Sequence, residues 1–271
     1  MALINRFNFI VWSTTPPEPE DLHSLPEGRN AGRASATVVL VPLQSSSIYI
    51  NAPNGLALAG PPGGSNVVAL VTDAQVTVAS NIGELVPVEV PGLGAPQHYA
   101  FIVAPDGLRM GYYRLRIGVS GSYLYSNRVW YMPTASDWSR RTAIFSFRNQ
   151  SDVAHVPYSI DALASFRQTL RLKVTAGTGQ TDTRLEEYEE VTTGYKRPVE
   201  IREQLFVPFM APHTDAIGHE GFRAMLAHKD LTVQGVPYSL KTGYQVEADP
   251  AKIAKATFEL WQTQFGLVNR C

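Results

Sequence analysis

The chain has 271 residues, of which 44% are hydrophobic and 17% charged, against roughly 25% charged in ordinary globular proteins. Its 23 Lys+Arg and 24 Asp+Glu give neither a basic field to gather nucleic acid nor an acidic one to imitate it, so no nucleic-acid partner is expected. No apolar run approaches the length of a membrane span, so no membrane insertion is expected. The single cysteine, Cys271, excludes an intrachain disulfide or a thiolate metal cage.

That length exceeds one typical β-sandwich and suits two domains. The low charge fits a subunit covered by neighbours, and it fits a β-rich protein equally well. Residues 1–12 can form one strand, interrupted by Asn5, Arg6 and Asn8 and followed by no small-residue cleavage site, so a signal peptide is not expected. Residues 13–31 carry four prolines, which remove backbone donors and favour an extended tether. The tethered strand has two possible destinations. It can fold back on its own domain, or reach a neighbouring subunit's sheet edge through Leu3, Ile4, Phe7, Phe9, Val11 and Trp12.

From about 32 to 133 short strands of alternating polarity are separated by Gly- and Pro-rich breaks, the pattern of an Ig-like antiparallel sandwich. AQVTVAS and LVPVEVP are expected as two of these strands, and Asp106-Gly107 and Gly121-Ser122 as hairpin turns. A second β-sandwich unit is expected over 139–271. It contains a long strand pair, RLEEYEEVTT and RPVEIREQLFVPF, and then one short helix near 215–228. Ile217, Phe222, Met225 and Leu226 share a face of that helix, with Thr214 or Asp215 as its N-cap. The hairpin LTVQGVPYSL follows, turning at Gln234-Gly235, and KATFELWQTQFGLV closes the unit. The predicted fold class is therefore all-β with one short helix, in two antiparallel sandwich- or barrel-like domains in tandem.

Residues that could carry chemistry do not converge in the sequence. HEGFRAMLAH invites comparison with a zincin helix, but His219 and His228 are nine residues apart and on opposite sides, whereas that motif needs histidines four apart. No metal site and no cofactor are expected. Glu187 and Glu189 share a strand face, as a glycosidase pair would, but their run of acids opposite Lys196, Arg197 and Arg202 reads as a solvated hairpin with cross-strand ion pairs. GPPGGSN lacks the Lys-Ser/Thr of a phosphate loop, and GVSGS is not a nucleophile elbow. Tyr112, Tyr123, Tyr125 and Trp130 are either core and cross-strand pairs or a platform on which sugar rings stack.

The order SNRVWYMP, TAIFSFRNQSD, FRQTLRLKV, EEYEEVTTGYKRPVEIREQLFVPF and HEGFRAMLAHKDLTVQGVPY, over about residues 124–240, resembles a family of tail-region virion proteins of tailed phages and prophages. Its marks are the Ala-Leu-(Ser/Ala)-His-x-Asp type segment, here Ala224 to Asp230, and the Gly-Val-x-Tyr hairpin, here Leu231 to Tyr238. The resemblance implies a non-enzymatic structural subunit of a tail or baseplate. Such a subunit would be assembled in the host cytoplasm, would form a homo-oligomeric ring and would dock on other virion proteins. The alternative is a carbohydrate-binding module or adhesin that recognises host-surface glycans through Tyr112, Tyr123, Tyr125 and Trp130.

Overall fold

The computed structural model describes residues 9–15, 36–50, 67–92, 96–119, 122–189, 192, 194–212, 214, 216–249 and 252–270. The protein is all-β, with one helix longer than a single turn among these residues. Its first strands are β1 (Trp12–Ser13), β2 (Val38–Leu40), β3 (Ser45–Ile50), β4 (Val67–Val71), β5 (Thr77–Val88), β6 (Gln97–Val103), β7 (Gly111–Val119) and β8 (Ser122–Tyr131). After a one-turn helix, Ala135–Trp138, come β9 (Thr142–Arg148), β10 (Gln168–Lys173), β11 (Thr175–Ala176), β12 (Gln180–Glu189) and β13 (Lys196–Ala211). The helix Ala216–Leu226, β14 (Asp230–Val233), β15 (Val236–Asp249) and β16 (Lys252–Arg270) complete the chain.

Eight strands close a barrel in the order β2, β8, β7, β4, β5, β6, β3, β10 and back to β2. All neighbours are antiparallel except β2 and β8, which run parallel through Val39–Trp130 and Leu40–Tyr131. Period-two alternation fills the interior: Ile48 and Ile50 of β3, Val68 and Leu70 of β4, Leu115 and Ile117 of β7 all point inward and are buried. Eight strands enclose a space that side chains alone can fill, so the barrel is a packed core and not a pore.

Hydrogen bonds cross the expected division at 133–139. Seven barrel strands precede it, but the eighth, β10, follows it and pairs with β2 through Arg171–Val39 and Leu172–Val38 and with β3 through Thr169–Ser47. The segments AQVTVAS and LVPVEVP do not form two strands; their inner parts, from Thr77 and up to Val88, belong to the single strand β5, twelve residues long. Gly83 lies between them and marks a close backbone approach instead of a turn, since a Cβ there would sit 2.1 Å from the Phe101 carbonyl oxygen.

From β10 the sheet continues through β9, β14, β15, β16 and β13 to an end made by β11 and β12. The hairpin between β14 and β15 turns at Gln234 and Gly235, both at positive φ (52° and 84°), as a two-residue type I′ turn requires. The helix Ala216–Leu226 covers this second sheet, and its expected face, Ile217, Phe222, Met225 and Leu226, is buried. Phe222 stacks on Tyr244 of β15 at 5.7 Å and contacts Phe258 of β16 at 5.6 Å.

The segment before β1 enters between helix and barrel. Phe9 takes a left-handed conformation (φ 58°) and sets its ring edge-on to Phe222 at 5.0 Å, directly over Gly221. Asn127, buried in β8 beside the register shift between β7 and β8, fixes this segment. Its Oδ1 accepts from the Val11 N–H at 3.0 Å, and its Nδ2 donates to the Phe9 carbonyl at 3.0 Å. One hydrophobic cluster thereby runs from the barrel through Phe9 to the helix and second sheet.

A Cβ at Gly221 would stand 2.6 Å from Phe9 Cδ1. Gly221→Ala is therefore expected to cost about 1–3 kcal/mol of stability through overpacking, and Phe9→Ala about 3–5 kcal/mol through the cavity it leaves. Denaturant unfolding of the double variant should show less than the sum, because removing the ring removes the clash.

Candidate functional site

The aromatic residues on the outer wall of β7 and β8 follow from alternation, since Tyr112 and Trp130 are register partners pointing away from the barrel core. Their rings stack at 6.0 Å with 27° between planes. Each is covered by a cation of the chain itself: the Arg128 guanidinium lies 5.9 Å from the Tyr112 centroid and Lys173 Nζ 5.1 Å from that of Trp130. Burial, and then the nearby charge of Arg141, holds the Lys173 ammonium below its usual pKa. Tyr123 lies farther along β8, roughly 20 Å from Trp130 at strand spacing, with Arg116 over its ring at 4.5 Å. Tyr125 is buried. The four residues thus form two separate groups and not one continuous platform.

Asp73 organises the cations between these groups. Its Oδ1 accepts from Arg114 Nε at 3.0 Å and Arg128 Nε at 3.1 Å, and its Oδ2 lies 2.8 Å from an Arg128 terminal nitrogen. Arg171 is nearly fully buried on the neighbouring wall. It donates to Gln44 Oε1 at 2.6 Å and to Thr142 Oγ1 at 2.8 Å, and its guanidinium covers Trp138 at 4.2 Å. Desolvation lowers its pKa, and these neutral partners make it a structural post.

Of the expected interface residues, Phe9, Val11 and Trp12 are buried inside this chain's own fold, with at most 1% of their surface exposed. Leu3, Ile4 and Phe7 lie outside the described residues. The bare surfaces are elsewhere. Among the described strands β12 has a neighbour on one side only, β13, and Thr181, Thr183, Glu187 and Glu189 along it are exposed. Leu240 and Val246 are exposed along β15, where they are register partners of the core residues Leu260 and Ala256, and Met210 is exposed on the outer face of the second sheet. A groove of about 390 Å³ runs there, lined by Pro208, Met210, Thr242, Gln245 and Glu259 among others. Glu259 is held by Lys241 at 3.3 Å, and Lys241 also sits 3.0 Å from the Phe206 ring centre. Sequence reasoning missed this face because alternation in β13 and β16 does not say which strands lie alongside.

Glu187 and Glu189 do not face a cleft. Glu187 lies 3.9 Å from Lys196, with both side chains well exposed, so the pair adds little to stability. Among the described residues no three His, Cys, Asp or Glu side chains converge as metal ligands. His219 Nδ1 is 2.6 Å from the Tyr244 hydroxyl. His228, at the end of the helix, is buried: its Nδ1 donates to the Ala224 carbonyl at 2.8 Å, so Nε2 is the acceptor for the Tyr158 hydroxyl at 3.1 Å. This bond ties the 149–167 segment to the helix through a satellite core of Tyr49, Val88, Val156, Tyr158, Leu163 and Phe166. Burial pushes the Tyr158 hydroxyl up to about 12 and the His228 imidazole below its ordinary value.

No family model matches the chain, and no curated protein or solved structure matches it.

The lowered pKa of His228 sets a pH dependence. The unfolded chain takes up a proton as the pH falls through about 6.5, the ordinary histidine value, while folded His228 does not, so stability is lost from that point downward. Unfolding midpoints measured from pH 7.5 to 5 should fall, and His228→Gln should start lower but decline less steeply.

Proposed function

We propose that the protein is a structural subunit of a phage-like virion, in its tail or baseplate, that associates with copies of itself into a ring and docks on other virion proteins. The observation that carries this reading is the asymmetry of the fold. Among the described residues one half is a closed barrel that leaves only the two-residue β1 at an edge, while the other is an open sheet ending at the long strand β12, with exposed apolar residues at Met210, Leu240 and Val246. An exposed edge invites pairing with another chain, and natural proteins that keep one either protect it or use it. Repeating such a contact under rotational symmetry closes a ring. The low charge and the resemblance over residues 124–240 support the same setting.

Recognition of host glycans through Tyr112, Tyr123, Tyr125 and Trp130 has less support. Arg128, Lys173 and Arg116 already occupy the accessible ring faces, and Tyr125 is buried.

Light scattering of the purified chain should give a discrete mass at a small multiple of the monomer. Lysines at Thr181 and Thr183 place like charges along β12 and should reduce that mass while leaving the circular dichroism unchanged. A wild-type monomer at high micromolar concentration would remove the basis for self-assembly. An unchanged mass in the Thr181→Lys, Thr183→Lys variant would move the contact away from β12.

A further inference from the structure

We propose a saccharide-binding cleft on the outer barrel wall, between β3, β6 and the segment leading into β10. It is separate from the Tyr112 and Trp130 wall, and it does not rest on the assembly proposed above. The cleft has a volume of about 350 Å³, within the roughly 300–1,000 Å³ range of small-molecule sites.

Its wall is aromatic. Phe101 is 49% exposed on β6 and meets Tyr99 edge to face at 5.4 Å, and Tyr99 leans on Phe166 at 5.1 Å. Phe166 is braced in turn by Tyr49 at 6.4 Å, so the wall is fixed before any ligand arrives. Among the described residues no cation lies over the Phe101 ring, in contrast to Tyr112, Tyr123 and Trp130, each of which has one.

The floor is made of hydroxyl groups. Strand register places Thr232, Ser146, Thr169, Ser47 and Phe101 in one line across β14, β9, β10, β3 and β6. Ser146 and Thr169 share a hydrogen bond of 2.9 Å, and Ser47 donates to the Arg167 carbonyl at 2.6 Å. These bonds fix the positions of the hydroxyl oxygens and leave lone pairs to accept from a ligand. Ser45 and Ser165 add exposed hydroxyls at the rim.

Arg167 closes one side. It is held in plane by Asp230 and by the Ser146 carbonyl at 3.3 Å. Two of its N–H groups serve those contacts, and a guanidinium has five, so donors remain for neighbouring hydroxyls of a ligand.

The chemistry selects among ligands. Asp230 offsets the charge of Arg167, the one charged residue among the described residues lining the cleft, while Arg148 lies beside Asp230 on β9 and outside the lining, so the sialylated and sulfated controls of the test read whether that second cation draws an anion. A lipid chain would desolvate the row of hydroxyls without replacing their hydrogen bonds. A peptide strand would need an open edge, and β3 and β6 are paired to each other along the cleft. A neutral oligosaccharide satisfies all the surfaces at once: its C–H face lies on Phe101, its hydroxyls meet Ser45, Ser47 and Thr169, and adjacent hydroxyls meet the Arg167 and Asp230 pair.

The test uses the full chain against immobilised glucose-, galactose-, mannose- and N-acetylglucosamine-terminated di- and trisaccharides beside sialylated and sulfated controls. Titration calorimetry follows on the strongest neutral binder. The expected result is neutral-sugar binding that weakens about tenfold or more in Phe101→Ala, the loss of one stacked aromatic face, with an unchanged thermal midpoint. Ser45→Arg, which narrows the rim at an exposed position, should weaken the same sugar without moving the oligomeric mass. Absence of neutral-sugar binding at millimolar concentration would overturn the proposal. So would binding that survives Phe101→Ala but is lost in Trp130→Ala, or binding confined to the acidic controls.

Discussion

The contact on which the architecture depends is the entry of Phe9 between the helix and the barrel. The barrel is closed by its own hydrogen bonds, and the second sheet is covered by the helix, but the seam between them needs a filler. Phe9 supplies one ring, and six more continue from it, Phe222, Tyr244, Phe258, Phe209, Phe145 and Tyr238, each within 6.4 Å of another member. Asn127 holds the backbone that presents Phe9, at a place where the N–H of Val11 and the carbonyl of Phe9 would otherwise be buried without partners. The glycine at 221 is explained by the same contact, because a helix residue with any side chain would collide with the ring.

Much of the local structure was legible in the sequence, for physical reasons. The helical face at Ile217, Phe222, Met225 and Leu226 follows from a 3.6 period, and the hairpin at Gln234-Gly235 from the need for two consecutive positive φ angles. What was not legible is pairing over long distance. Nothing in QTLRLK says that it completes a barrel begun more than a hundred residues earlier, because alternation is the same whichever strand lies alongside. Gly83 is a site of close backbone approach inside one strand where two strands were expected, and a lone glycine does not say which of these it marks. The apolar pattern of Phe9, Val11 and Trp12 would serve a neighbour's sheet as well as this chain's own core. In the described structure Asn127 and the left-handed Phe9 hold the segment against this chain's own core, and neither has a sequence signature. The candidate surfaces were partly legible: alternation brings Tyr112 and Trp130 together, but the cations over the rings come from β8 and β10 by tertiary placement.

The fold separates rigidity from exposure. Its titratable interior groups, His228 and Tyr158, are held in uncharged forms by burial and by each other, and Arg171 keeps its charge among neutral acceptors and an aromatic ring. Exposed apolar residues lie on strands of the open sheet and the outer barrel wall, at Met210, Leu240, Val246, Phe101 and Val103, and also between strands, at Leu43, Val76, Met110 and Tyr195. In the assembly proposed above, load on the open sheet would reach the barrel through a continuous aromatic core.

The place of Phe9 in that core also sets an order in time. Phe9 leaves the ribosome roughly 200 residues before Phe222, and synthesis at about 5–20 residues per second makes that interval on the order of ten to forty seconds. Asn127 emerges midway, and the barrel cannot close until β10 has followed it. The segment that seals the finished core is therefore without its partners for most of the chain's synthesis. Chains translated close together expose the same apolar segment beside one another throughout that interval, which makes nascent chains the stage at which it is most open to capture by a neighbour.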